Sequence, residues 1–232
     1  MAKKGKEEIF AISLGGSVAV PDEINTSYLK RFYNAIKKET EKGRKFIIII
    51  GGGKISRRYQ EALSKASKAS NEDKDWIGIK VTELNSLLLK AVFREIANPV
   101  IFDKRFKIKK FGKRPVLIGC GWKPGWSTDF IAVQIAVDFN ISKIINLGKP
   151  DYVYTADFET DPRAEKIENI SWKDYLKIIP GKWKPGLSAP LDPVAAKLAM
   201  KSKMEAIVAS GNDLDNFKKI LNGKKFRGTL IS

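Results

Sequence analysis

The sequence predicts an α/β fold built on a largely parallel sheet with helices on both faces, and three observations lead there. Apolar, β-prone runs alternate with helical patterns along nearly the whole chain. Three of those runs, IFAISLGGS, KFIIIIGGGKISRRY and VLIGCGWKPGWSTDFIA, end in a glycine cluster and then turn helical. With 232 residues and 43% hydrophobic content, the chain can fill one compact domain or two tightly joined lobes sharing a sheet.

Taken in order, a strand is expected at about 8–14, closing on Gly15-Gly16, then a helix at about 26–43. The run at 45–50 reads as a strand ending in Gly51 to Gly53, followed by helices at about 54–70 and 76–96. Strands at 99–103 and 115–119 come next, then a helix at 128–139 and a strand at 143–147. Residues 148–189 form a Pro- and Gly-bearing stretch with a short helix near 172–179. A helix at 190–203, a strand at 205–209, a helix at 213–221 and a final short strand in GKKFRGTLIS complete the chain. A lobe boundary is placed near residue 140, giving segments 1–140 and 141–232.

The glycine clusters carry the first chemical argument. Glycine lacks Cβ, so backbone N–H groups can approach an anion closely, and open α/β sheets bind ligands beyond the carboxyl ends of their strands. One such loop can be a simple turn; three at matching positions point to a polyphosphate site. Residues 51–56 read GGGKIS, which fits neither the G-x-x-x-x-G-K-[ST] loop nor the G-x-G-x-x-G dinucleotide fingerprint.

Composition removes several classes. The chain has one cysteine, Cys120, and no histidine, which excludes an intrachain disulfide and argues against zinc chemistry and Ser-His-Asp hydrolysis. The start, MAKKGKEEIF, is too charged for a signal peptide, and no apolar run approaches the roughly 20 residues that span a bilayer. A cytoplasmic location is expected. The net charge of +17 is spread along the chain and reads as a cationic surface that attracts anionic substrates. A denser stretch, KRFKIKKFGKR at 104–114, is read as a solvated hairpin or loop in preference to a phosphate-binding strip for nucleic acid.

The ordered segments LGGSVAVP (14–21), GGGKISRRY (51–59), DWIGIKVTELN (75–85), GWKPGWSTD (121–129), DYVYTADFETDP (151–162), LDPVAAKL (191–198) and GTLI (228–231) resemble the amino acid kinase family. The resemblance is strongest to its archaeal-type uridylate kinase branch and covers nearly the whole chain. It implies a three-layer α/β/α sandwich with a largely parallel central sheet, an N-terminal acceptor lobe and a C-terminal ATP lobe. The implied reaction is ATP plus UMP giving ADP plus UDP, with Mg2+ accompanying ATP and no metal ligand assigned to the protein. It also implies a homo-oligomer, usually a hexamer built from dimers.

Residue roles follow in two voices. Gly15, Gly16 and Ser17 are assigned to ATP, and Gly52 and Gly53 to the acceptor, as backbone donors. Lys54 at a helix start is either solvated or a phosphate contact, and the resemblance favours the second. Arg57, one turn on, suits bidentate grip on the acceptor phosphate, with Arg58 a surface neighbour. Asp75 reads as an N-cap or, by resemblance, as the ribose ligand that selects nucleotides. Gly121, Ser127 and Thr128 lead into a helix suited to an anion, and the resemblance gives Thr128 to the acceptor phosphate. Trp122 and Trp126 stand open between packing and an aromatic wall for the base.

Asp129 either complements a helix dipole or, by resemblance, organises catalytic lysines. Asp192 followed by Pro193 has the form of an N-cap with proline at the first helical position; the resemblance adds a catalytic role for Asp192 and a phosphate-stabilising one for Lys197. Tyr154 and Asp157 match positions beside ATP, although Tyr154 also continues an apolar run.

The chain departs from the family pattern in three places. Ser13 stands where many members carry lysine, Pro150-Asp151-Tyr152-Val153-Tyr154 replaces Val-Asp-Gly-Val-Tyr, and Asp157-Phe158 replaces Asp-Pro. Lack of histidine disfavours the sister kinase of isopentenyl phosphate. The alternatives are a non-catalytic nucleotide or oxyanion binder of the same fold, and a same-fold kinase with another small acceptor.

Overall fold

Along one edge of a central sheet lie the carboxyl ends of five parallel strands, and the three glycine clusters follow three of them. The computed structural model describes residues 8–157, 160–182 and 189–232. In chain order its elements are β1 (Ile9–Leu14), α1 (Gly16–Ala19), α2 (Thr26–Thr40), β2 (Lys45–Ile50), α3 (Gly53–Ala66), α4 (Asn71–Val92), β3 (Val116–Gly119) and α5 (Thr128–Asp138). There follow β4 (Lys143–Gly148), β5 (Val153–Tyr154), β6 (Lys166–Ile167), β7 (Asn169–Ile170), α6 (Trp172–Ile178), α7 (Pro193–Lys201), β8 (Glu205–Ser210), α8 (Leu214–Leu221) and β9 (Thr229–Ile231).

Among the described residues the main sheet has the order β3-β2-β1-β4-β8-β9-β7. The first five strands run parallel, β9 is antiparallel to β8, and β7 is parallel to β9. β1 pairs with β2 on one side and β4 on the other, so the sheet crosses residue 140 without a break. Because both sheet faces are covered, the strands are apolar throughout, and KFIIII of β2 is the plainest case. Ala11, Ile47, Ile49, Ile144 and Val208 face one core, shared with α5, α6 and α7. Ile12, Leu14, Ile48, Ile50 and Ile145 face the other, shared with α2, α4 and α8. The helices therefore form two outer layers, and the three-layer α/β/α arrangement is observed.

Local chemistry explains most boundaries. α2 opens where the Asn25 side chain accepts from Tyr28 N–H at 3.0 Å, and it buries Tyr28, Phe32 and Ile36 along one stripe. α4 begins at Asn71, five residues before the expected start, because Ser70 and Asp73 form a reciprocal capping box. Asp75 is therefore inside α4, and its reading as an N-cap is corrected. The expected strand at 99–103 is also corrected: only isolated bridges, Ala97 to Val116 and Phe102 to Gly119, join this segment to β3. Pro99 lacks an N–H, and the Asn98 side chain turns the backbone by accepting from Val100 N–H at 2.9 Å. The basic stretch at 104–114 has no regular element; Arg105 pairs with Asp138 and Lys107 with Asp103, while Ile108 and Phe111 pack on the core.

Candidate active site

The geometry begins with two loops in direct contact. Leu14 and Ile50 are register partners, so Gly15-Gly16 and Gly51 to Gly53 leave adjacent strands side by side. Gly51 N–H donates to Leu14 O and Gly15 N–H to Leu147 O, each at 2.9 Å. A Cβ on Gly16 would lie 2.1 Å from Gly53 N, and one on Gly53, whose φ is +69°, would lie 2.4 Å from Val20 O. Side chains at either position would force the loops apart, which is why the sequence has glycine there.

α4 stitches these loops to the third. Asn85 Nδ2 donates to Gly51 O at 2.9 Å and Gly52 O at 3.4 Å. Thr82 Oγ1 accepts from Gly121 N–H at 2.9 Å and donates to Ile79 O at 2.7 Å. Both side chains are buried. Sequence reasoning missed them, although polar residues on the inward stripe of an otherwise apolar helix were the available signal. Thr128 Oγ1, at the head of α5, stands 3.6 Å from where a Gly51 Cβ would be, so the second and third loops also face each other. Ser17 lies beside Gly15 in α1. Gly16, Gly52 and Gly53 thus share one cleft edge with the N-termini of α3 and α5, while the N–H groups of Gly15 and Gly121 are used inside the protein, on Leu147 O and Thr82 Oγ1.

Asp129 lies in the first turn of α5, above β1 and β4. Its Oδ1 accepts from Ser13 Oγ at 2.5 Å and from Asn146 Nδ2 at 2.8 Å. Burial pushes its carboxyl up to about 7; the two hydrogen bonds oppose this and the nearby Asp192 adds to it. No lysine bonds to Asp129 among the described residues. Asp192, 4% exposed, is fully engaged: Oδ1 accepts from Val194 N–H at 2.8 Å and Ala195 N–H at 3.2 Å, and Oδ2 accepts a short hydrogen bond from Ser127. Ser127 in turn caps α5 through Phe130 N–H at 2.9 Å. Asp192 therefore locks the heads of α5 and α7 together, as the N-cap pattern in the sequence indicated.

The cations are distributed differently from expectation. Lys54 Nζ grips Asp22 at 2.7 and 2.9 Å, and Arg58 joins the same carboxylate at 2.8 Å. Lys54, first, and then Arg58 hold the Asp22 carboxyl below its usual range. Nothing in the sequence pattern marked Asp22. Arg57 on α3 and Lys197 on α7 are exposed and carry no ion pair among the described residues. Asp75 is half-buried, and its Oδ2 accepts from Gly125 N–H at 2.8 Å, tying α4 to the third loop. Burial raises its carboxyl above the ordinary value. Trp122 and Trp126 pack on the core edge-to-face, and Trp126 leans on Phe130 with centroids 4.7 Å apart, which favours packing.

On the other side of the cleft, beyond β4, the Tyr154 hydroxyl donates to Asp151 Oδ1 at 2.7 Å. Asp157 is exposed just past β5; Phe158 and residues 183–188 lie outside the described residues. A cavity of about 500 Å³ opens at the carboxyl ends of β4 and β8, walled by Lys149, Asp151, Asn212, Asp213 and Arg227. Sequence reasoning reached Asp151 and Tyr154 but not the walls from 210–227.

Known proteins share this sequence pattern and fold. The model of the amino acid kinase family matches residues 8–210. A uridylate kinase of Methanocorpusculum labreanum is 32% identical over 223 residues, covering 95% of this chain and 94% of the relative. A uridylate kinase of Pyrococcus abyssi is 31% identical, covering 94% of this chain and 96% of the relative. The crystal structure of uridylate kinase from Archaeoglobus fulgidus superposes with a TM-score of 0.82 at 27% identity, over 98% of this chain and 100% of that one. The fold, the ordered motifs and the match across residues 8–210 lead to one assignment: the chain belongs to the amino acid kinase family.

Proposed function

We propose that the protein transfers the γ-phosphoryl group of ATP to UMP, giving ADP and UDP. The observation that carries this reading is the contact of the Gly15-Gly16 and Gly51 to Gly53 loops, which sets donor and acceptor cradles edge to edge. The uridylate kinase relatives, matched over nearly their full length, supply the substrate.

In this reading an oxygen of the UMP phosphate attacks the γ-phosphorus in line as the bond to the ADP oxygen breaks. Little covalent help is needed; the two anions must be aligned and their repulsion offset. Gly16 and Ser17 hold the ATP phosphates, and Gly52, Gly53 and Thr128 hold the UMP phosphate, with Arg57 as its guanidinium clamp; Gly15 and Gly121, whose N–H groups bond to Leu147 O and Thr82 Oγ1, serve by shaping those two loops. Asp75 takes the ribose. Lys54 and Lys197 supply positive charge to the transferring group, and Lys54 must exchange its Asp22 contact for phosphate. Asp129 fixes the reacting end of the cleft, and Asp192 acts by holding α5 and α7. Tyr154 and Asp157 border the ATP nucleoside. Residues 1–140 chiefly serve the acceptor, apart from the Gly15 to Ser17 loop on the ATP phosphates, and 141–232 serve the donor.

Mg2+ enters as the MgATP complex, carried chiefly by phosphate oxygens. We place the reaction in the cytoplasm, where both nucleotides are available. Exposed Tyr59, Trp76, Leu84 and Leu87 on α3 and α4 support a homo-oligomer, which light scattering would test.

The direct test is ADP formation with MgATP and UMP, CMP, AMP, GMP or isopentenyl phosphate, with Asp129→Asn in parallel. UMP-selective turnover that collapses in the variant is expected. No turnover with any acceptor, while ATP or UMP still binds, would leave a nucleotide-binding module instead.

A further inference from the structure

We infer that Ser13 and Asn146 are positioning residues for phosphoryl transfer, together fixing the orientation of the Asp129 carboxylate. This rests on the kinase reading above and extends it to two residues for which the sequence offered no role.

Ser13 of β1 and Asn146 of β4 are register partners, and their row continues through Ile49 of β2 to Gly119 of β3 and, on the other side, to Val208 of β8. On this face the neighbouring positions Ala11, Ile47, Ile144 and Ala206 are apolar core. Two adjacent polar side chains, 2% and 5% exposed, interrupt it. Buried polar groups are costly unless bonded. Both aim their donors at one atom, Asp129 Oδ1, from 2.5 and 2.8 Å.

Two donors from different strands converging on one oxygen fix the plane of the carboxyl group. Oδ2 carries no hydrogen bond among the described residues. A single donor would allow the group to swivel about χ2, a soft torsion. Both donors are neutral. Neutral donors stabilise the carboxylate less than an ammonium would, and burial already pushes Asp129 up to about 7. The titratable groups facing it are Asp192 at the head of α7 and Tyr175 of α6; β1, β2 and β4 present Ser13, Ile49 and Asn146, which do not titrate.

The experiment compares wild type with Ser13→Val, Ser13→Thr and Asn146→Leu, each followed by steady-state kinetics and by carbon NMR titration of the Asp129 carboxyl. Val and Thr have the same shape, so a difference between them reports the hydroxyl rather than folding. Expected are a kcat about 10- to 100-fold lower in Ser13→Val and Asn146→Leu, with KM for UMP and ATP changed by less than about threefold. Ser13→Thr recovers much of the kcat lost in Ser13→Val. The Asp129 titration moves to higher pH in both weakened variants, since each lost hydrogen bond had favoured the ionised form. An unchanged kcat with an unmoved titration overturns the inference. A wild type without UMP turnover overturns the kinase reading instead, and the titration then still decides whether the two side chains hold Asp129.

Discussion

Two side chains give the most direct consequences at the scale of the residue. Asp129 has a folded-state carboxyl raised from 3.8 to about 7. Between those values the folded protein binds more protons than the unfolded chain, so its contribution makes stability fall as pH rises through that window. Asp129→Asn keeps an acceptor for Ser13 and Asn146 but removes the charge. It should flatten the slope and stabilise the protein at pH 8 by on the order of a few kcal/mol, read from urea midpoints between pH 4 and 8. A variant with the wild-type slope would show that Asp129 does not titrate there. Arg57 is exposed and unpaired among the described residues, as a guanidinium awaiting an anion should be. Arg57→Ala is expected to raise KM for UMP about tenfold or more and leave KM for ATP near its starting value. The close packing of the glycine loops and the Asp192 cap were legible because each combines a backbone or capping requirement with a recognisable motif. Asp22, Asn85 and Asn146 were not, because their partners lie 32, 34 and 17 positions away in the chain.

At the scale of the element, α4 is the part on which the cleft depends. It starts with a capping box, ends against the core, and in between reaches loops two and three through Asn85, Thr82 and Asp75. Ser70→Ala should cost about 1 kcal/mol of global stability with little effect on turnover, since it loosens only an exposed end. Asn85→Ala leaves Gly51 O without its side-chain donor, and it should cost about 1–3 kcal/mol and weaken UMP binding as well. Thermal melts together with KM measurements separate the two cases. The long parallel strands were legible because burial on both faces writes an unbroken apolar run. The start of α4 was not, because Asn71-Glu72-Asp73-Lys74-Asp75 has no apolar residue to show a helical period. The segment 99–103 looked like a strand for the opposite reason, an apolar composition whose pairing is interrupted: Pro99 has no N–H, Val100 N–H turns to Asn98, and Phe102 alone exchanges bonds with β3. β5, β6 and β7 are two residues each, too short for any periodicity.

For the whole molecule, charge and topology act together. A net charge of +17 surrounds a cleft meant for two polyanions, so attraction should be general as well as local. KM for UMP is therefore expected to rise as salt increases from about 0.05 to 0.5 M, over which the screening length falls well below 10 Å. The basic loop contributes less than its sequence suggests, because Arg105 and Lys107 are already paired with Asp138 and Asp103. The unbroken sheet holds the glycine loops at one fixed spacing, which is what the proposed in-line transfer between two bound anions requires. The most direct test of that arrangement is phosphorus NMR of wild-type protein incubated with MgATP and UMP. Resonances of UDP and ADP should appear in equal amounts as those of UMP and ATP decline, without inorganic phosphate. Release of inorganic phosphate with UMP unchanged, or no change in any resonance, would contradict transfer between the two cradles.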